Sequence, residues 1–347
     1  MDTNSTQNAD DSTHILIIFL RTMFLIFCAF MTISGNILSI VVLYRLRSVS
    51  EVTKIFLLSL AFADLFVGLL NDLFSIIPGI ISSWPYGDGL CMVIGLSGSI
   101  FCGVSLLSLL SVSVDRYIAI SKPLHYILLV TKKRALFAVA FIWIFTFILV
   151  TLSSILKGKQ SVFYNPNLCT CMVAWGDVKF KTFNIITLFA FIMVPGLLMI
   201  LLYIRLFFIS RKHIRKIEEL TVSSNNGIPI VSKKEWKAIK TLFIVTGAFN
   251  IAWLPFLIVH SYMAITNNTV NDGALFFILW LALSNSWWNS LIYSATNRAY
   301  RKCALQVMKS MLPCYKNDVQ RFNGDSDTNT NSLNHRQQVV NTTAQTF

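Results

Sequence analysis

The sequence predicts an all-α membrane protein: a seven-transmembrane helix bundle with a short amphipathic eighth helix. Three observations carry that prediction. Of 347 residues, 55% are hydrophobic and only 13% are charged, about half the ~25% charge of an ordinary soluble domain. Long apolar runs lie near residues 15–44, 55–82, 92–114, 135–156, 183–209, 242–266 and 274–295, each long enough to cross ~30 Å of hydrocarbon at ~1.5 Å per residue. Basic residues crowd into alternate connections between these runs. So few polar residues cannot enclose a water-soluble globule, which excludes a soluble enzyme. β-barrel spans would be shorter and alternating, and these are neither.

The first run follows a polar, acidic stretch, residues 1–14, without the basic start and cleavage site of a signal peptide. That stretch reads as an extracellular tail, and the first span as its own insertion signal. In the third run Ser and Gly replace Leu, as close helix–helix contact in lipid favours. With the N-terminus outside, 24 of the 29 Lys and Arg fall on the cytoplasmic side. The positive-inside rule therefore puts the C-terminus in the cytoplasm of a multi-pass plasma-membrane protein. The net charge of +13 is then topology and needs no nucleic acid.

Asn4 and Asn267 head glycosylation sequons on the outer side, whereas the sequon at Asn341 lies inside, where it has no use. Residues 15–296 form the bundle. Residues 297–312 read as a helix with Tyr300, Ala304, Val307, Met308 and Met311 on one face and Arg298, Arg301, Lys302 and Lys309 beside it. Such a segment is expected to lie along the inner leaflet, with Cys303 and Cys314 as palmitoylation candidates. Residues 313–347, rich in Asn, Asp, Ser and Thr, read as a disordered cytoplasmic tail. Ser326, Thr328, Thr330 and Ser332 are phosphorylation candidates there, although any such tail carries hydroxyl residues by default.

Asp64 stands in mid-span, where a carboxylate costs about 2.5–3.5 kcal/mol on insertion scales and needs partners. Asn36, Ser105, Asn285, Ser286 and Asn289 offer polar groups at a comparable depth. Carboxylate, hydroxyl and amide oxygens together suit a hard cation or a proton; an interhelical hydrogen-bond cluster is the plainer reading. A transporter or proton channel using Asp64 is the alternative function. It predicts internal repeats and a polar path, and neither is present. A membrane enzyme has no clustered His and no Ser/His pairing to work with. Seven scattered cysteines fit neither a disulfide scaffold nor a zinc ribbon, and no metal site is expected.

One mark per span carries a resemblance. These are Gly35-Asn36, Leu60-Ala61-Phe62-Ala63-Asp64, Asp115-Arg116-Tyr117, Trp143, Pro195 with Tyr203, Phe249 with Trp253-Leu254-Pro255, and Asn289-Ser290-Leu291-Ile292-Tyr293. From about residue 30 to 312 the chain resembles the rhodopsin-like (class A) G protein-coupled receptors. The resemblance implies a receptor, not an enzyme, that binds an extracellular ligand between its helices and activates a heterotrimeric G protein as the sixth helix moves outward. Arrestin and receptor kinases are implied as further partners, alongside membrane lipid.

The resemblance also implies roles for residues. Asp64, Ser105, Asn285, Ser286 and Asn289 match positions that hold a sodium ion in the resting state. Arg116, between Asp115 and Tyr117, is expected to pair with Glu235 and tie the third helix to the sixth. Trp253, Phe249 and the Pro255 kink are expected to relay ligand contact, with Phe249 packed towards Pro195 and Leu106. A G protein cleft then opens among Arg116, Tyr203 and Tyr293. Ser290 departs from the family's proline. Cys91 is expected to bridge Cys171, in step with Trp175, with Cys169 as the alternative.

No lysine lies between residues 271 and 296, and Leu283 occupies the place of the retinal lysine, so retinal is not expected. The aspartate that aminergic receptors use as counter-ion is replaced by Gly98, followed by Ser99, which argues against a standard monoamine pocket. Asp72 could serve a cation instead, or simply face the vestibule. The remaining wall is expected from Cys102, Thr187, Phe191, Trp253, Phe256, Leu257, His260 and Leu279. A small molecule, a lipid or a short peptide would each suit it.

Overall fold

The computed structural model describes residues 3–158, 161–174, 180–222, 230–266, 268 and 270–311. Seven helical stretches are long and apolar enough to cross a membrane: His14–Arg45, Glu51–Ile81, Gly87–Ser121, Lys132–Lys157, Lys181–Ile209, Lys240–Thr266 and Asp272–Thr296. They are called the first to seventh spans below.

The first span belongs to α1 (Thr3–Arg45). The helix therefore starts before the apolar run, and the polar stretch expected as a tail is helical from Thr3. A helix satisfies its own backbone polar groups, so it can continue past the bilayer without apolar side chains. The second span starts as α2 (Glu51–Phe66), whose N-cap Ser50 accepts from the Thr53 amide at 3.2 Å. It then passes through a π turn, Val67–Asp72, and a 3-10 turn, Leu73–Ser75, into α3 (Ile76–Ile81). Pro78 bears on the second of these, the 3-10 turn. It has no N–H for the carbonyl one turn back, at Phe74, and its ring pushes that turn open. Pro195 does the same in the fifth span, where a second π turn, Phe189–Met193, lies between α7 (Lys181–Leu188) and α8 (Val194–Val222).

The third span, α4 (Gly87–Ser121), is the axis of the bundle and packs on the second, fourth and fifth spans. A short helix, α5 (Pro123–Leu129), follows with Pro123 in its first turn, where no amide is needed. The fourth span, α6 (Lys132–Lys157), is tied in by Trp143, whose Nε1 donates to Ser59 Oγ at 3.0 Å. Ser59 in turn shares a hydrogen bond with Ser108 at 2.9 Å. The connection to the fifth span forms a hairpin of β1 (Val162–Asn165) and β2 (Thr170–Val173), antiparallel with Tyr164 opposite Cys171. The sixth span lies in α9 (Ile230–Thr266) and the seventh is α10 (Asp272–Thr296), capped by Asn271.

The last helix, α11 (Arg298–Met311), turns its apolar face partly inward: Tyr300, Ala304 and Val307 are buried against Val42, while Met308 is exposed. Large apolar side chains such as Phe137, Phe141 and Ile155 point out of the bundle, whereas Asp64, Ser105, Asn289 and Ser290 are buried within it. That distribution suits lipid as the solvent.

Candidate functional site: an outer cavity, a polar hub and an inner clasp

The outer half of the bundle encloses a cavity of about 130 Å³. Gly98, Ser99 and Cys102 line it from the third span, Thr187 and Phe191 from the fifth, Trp253 and Phe256 from the sixth, and Leu279 from the seventh. Its roof is strand β2, held by the Cys91–Cys171 disulfide and by Trp280 Nε1, which donates to the Leu168 carbonyl at 3.1 Å. Gly95 lets the hairpin come down onto the third span, since a Cβ there would run into Val162. Cys169 is the unbridged cysteine of the pair. It is fully buried, and burial pushes its thiol up to about 11 against the opposing charge of Arg21. Trp175, expected in step with the bridge, lies outside the described residues.

Three residues expected in this wall lie elsewhere. Asp72 is 1% exposed and faces Thr32 of the first span, away from the cavity. Leu257 packs into the core. His260 is buried, stacks on the Phe256 ring at 3.9 Å, and has its Nδ1 3.0 Å from the Phe256 carbonyl, one turn back on its own helix. The wall gains a residue that was not anticipated, Asn71. A Cβ on Gly98 would lie 2.6 Å from Asn71 Oδ1, so glycine leaves the room in which that amide sits.

Beneath the cavity, rings follow one another down the sixth span, Phe256 to Trp253 at 5.7 Å and Trp253 to Phe249 at 6.1 Å. Phe249 joins Leu106, Met199 and Tyr203 in the inner core. Beside this column is the polar hub. Asp64 is wholly buried; Asn289 Nδ2 donates to its Oδ2 at 3.0 Å, and the Ser105 and Ser286 hydroxyls face it. Its Oδ1 has no partner among the described residues. Asn285 is buried on the same helix but makes no hydrogen bond to Asp64 among the described contacts. Asn36 closes the hub from the first span, donating to the carbonyls of Thr32 and Ser286 at 2.8 and 2.9 Å.

At the inner end, Arg116 binds its own neighbour. Its Nη2 and Nε lie 2.7 and 3.0 Å from Asp115 Oδ2, and Nη2 also donates to Thr53 Oγ1 and, at 3.3 Å, to Ser50. Asp115 further accepts from Thr53 Oγ1 and from the Tyr126 hydroxyl, each at 2.7 Å. Burial, and then the Asp115 carboxylate, raise the Tyr126 phenol above its usual range. Tyr117 packs against the inner core. Tyr203 donates to Ser113 at 2.9 Å, and the buried Tyr293 hydroxyl has no partner among the described residues. The Glu235 side chain, Asn267 and Cys314 lie outside the described residues, as do the Asn4 side chain and the tail hydroxyls.

The sequence profile of the 7 transmembrane receptor (rhodopsin family) matches residues 35–293. The chain belongs to that family. The receptor is 30% identical to the histamine H2 receptor of Cavia porcellus, over 82% of this chain and 78% of the relative. It is 27% identical to the octopamine receptor beta-1R of Drosophila melanogaster, over 89% and 65%. It is 29% identical to trace amine-associated receptor 4 of Mus musculus, over 86% and 85%. The crystal structure of squid rhodopsin superposes with a TM-score of 0.74 at 21% identity, covering 86% of this chain and 87% of the other, and so shares the fold. The protein is thus a multi-pass membrane receptor rather than an enzyme.

Sequence reasoning passed over Ser50, Thr53 and Tyr126, which anchor Asp115 and Arg116. It also passed over Ser39, whose Oγ lies 2.7 Å from both Ser290 Oγ and the Tyr300 hydroxyl. Ser50, an N-cap residue type just before the second apolar run, was the one signal available for the first group.

Proposed function

We propose that a small molecule arriving from the extracellular side occupies the cavity beneath the hairpin and shifts the receptor between a resting and an active arrangement. The observation that carries this reading is the ring column: Trp253 belongs both to the cavity wall and to the stack that ends in the inner core. A ligand pressing on Trp253 displaces Phe249 and swings the inner end of the sixth span outward about the Pro255 kink. A cleft for the G protein then opens beside Arg116, Tyr203 and Tyr293. In this reading the N-terminus faces the outside of the plasma membrane and the C-terminal tail meets receptor kinases and arrestin in the cytoplasm.

The hub sets the resting state. A sodium ion fits the unpartnered Asp64 Oδ1 together with the Ser105 and Ser286 hydroxyls and the Asn289 amide, and Asn285 would complete the set only by turning towards it. The ion would neutralise a carboxylate otherwise buried at high cost and favour the arrangement that encloses it. Asp115 holds Arg116 against the second span, and releasing it frees the guanidinium for the G protein. An Arg116–Glu235 pair would add a second restraint of about 0–1 kcal/mol.

The test is agonist-free nucleotide exchange on purified Gα. Phe249→Leu, which removes the ring while keeping most of the buried volume, should change the basal rate several-fold, read per mole of folded receptor. An unchanged rate would remove the column from the mechanism.

A further inference from the structure

The cavity wall contains no Asp, Glu, Lys, Arg or His among the described residues. Gly98 has no side chain to offer, and the space beside it is taken by the Asn71 amide. Asp72, next in sequence, is buried against the first span. An ammonium ion placed here would lose much of its water beneath the hairpin and meet no counter-charge among the described residues, which is unfavourable.

Two N–H groups on the lining side chains have no partner among the described residues. Asn71 is 4% exposed and its Nδ2 has no partner among the described residues. Trp253 Nε1, in another lining side chain, is likewise unpartnered. The Thr187 hydroxyl is already committed to the Phe183 carbonyl at 2.8 Å. A buried N–H left without a partner is costly, so a guest gains most by bringing an acceptor. A protonated amine brings only donors. The rest of the wall, including Leu106, Phe191, Phe256 and Leu279, is apolar.

We propose that the cavity takes an uncharged, predominantly apolar small molecule with a hydrogen-bond acceptor oxygen, held by the Asn71 amide, and that it rejects protonated amines. This rests on the reading of the cavity as the ligand site. The receptor has thereby exchanged an ion pair for a single neutral hydrogen bond, with shape and apolar contact supplying the remaining selectivity.

The experiment is thermal stabilisation of the full-length receptor in nanodiscs by five probes: benzylacetone, phenethyl alcohol, phenethylamine, phenylacetate and ethylbenzene. It uses no G protein, so its outcome is separate from whether the protein signals as proposed. Benzylacetone and phenethyl alcohol should stabilise, ethylbenzene less, and the amine and the carboxylate not at all. Asn71→Leu should weaken benzylacetone roughly tenfold, the worth of about one hydrogen bond, and leave ethylbenzene unchanged. Gly98→Asp combined with Asn71→Ala clears the space and supplies a carboxylate, and should reverse the order in favour of phenethylamine. If that double variant does not fold, the single variant and the wild-type ranking decide. Stabilisation of the wild type by phenethylamine or phenylacetate as strong as by the neutral oxygen compounds, or by none of the five, overturns the proposal. So does an Asn71→Leu variant that binds benzylacetone as well as wild type.

Discussion

A single carboxylate, Asp64, carries the resting state in this account. Asn289 donates to Asp64 Oδ2 at 3.0 Å, the Ser105 and Ser286 hydroxyls face the carboxylate, and Asp64 Oδ1 has no partner among the described residues. Replacing potassium by sodium in the buffer should slow agonist-free exchange by the wild type, while Asp64→Asn should be indifferent to the swap. An equal sodium effect in both proteins would mean the ion acts elsewhere. Cys169 gives a second prediction at this scale. With its thiol pushed up to about 11 by burial, only about one in ten thousand is ionised at pH 7, and the side chain is closed to solvent. Maleimide should therefore leave Cys169 unlabelled in the folded receptor and react only after unfolding; rapid labelling at neutral pH would show that the hairpin does not sit as described. Asp64 and Asn289 are legible in the sequence because polar groups stand out against hydrocarbon. Asn71 is not, because its role depends on a neighbouring glycine that leaves room, and an absent side chain gives no signal of what fills its place.

Helices introduce facts that residue types do not contain. The wide turn over Val67–Asp72 rotates everything beyond it by about one residue, roughly 100° in helical phase. Counting along a straight helix from Asp64 therefore misplaces Asp72, which turns to the first span while Asn71 takes the cavity. Ser290 shows the reverse case. Serine keeps the N–H that the family's proline lacks, and its hydroxyl joins Ser39 and Tyr300 in one chain across the first span, the seventh span and α11. Tyr300→Phe would break that chain and should cost about 1 kcal/mol, read as a lower thermal transition and faster amide exchange in α11. Ser290→Pro would remove only the Ser290–Ser39 end of the chain and bend the seventh span; unaltered exchange in α11 for Tyr300→Phe would show that the clasp contributes nothing. Movement between elements is testable too. A disulfide fixing the inner ends of the third and sixth spans near Arg116 and Glu235 should abolish agonist-stimulated exchange and restore it on reduction. Full signalling in the oxidised state would dismiss the outward swing.

Over the whole molecule, the seven spans are the most legible feature, because hydrocarbon imposes both length and composition on whatever crosses it. All seven apolar runs fall within the helical stretches of the structure, apart from one residue at the end of the second. At the inner end the described contacts hold Arg116 to Asp115, Thr53 and Ser50 beside the second span, while the Glu235 side chain expected to pair with it lies outside the described residues; Ser50 and Thr53 are not legible in the sequence because hydroxyl residues near helix ends are too common to single out. In the proposed mechanism, occupancy of the outer cavity and release of Arg116 bias one shared equilibrium towards a G protein-binding form. Asp115→Asn removes the negative charge, and one of the two acceptor oxygens, on which Arg116, Thr53 and Tyr126 converge, and so should mimic a ligand. The most direct measurement is nucleotide exchange by receptor in nanodiscs on a panel of purified Gα subunits, with wild type and Asp115→Asn side by side. The account predicts agonist-free exchange several-fold faster for the variant on at least one Gα, whereas no catalysis by either protein on any Gα would contradict it.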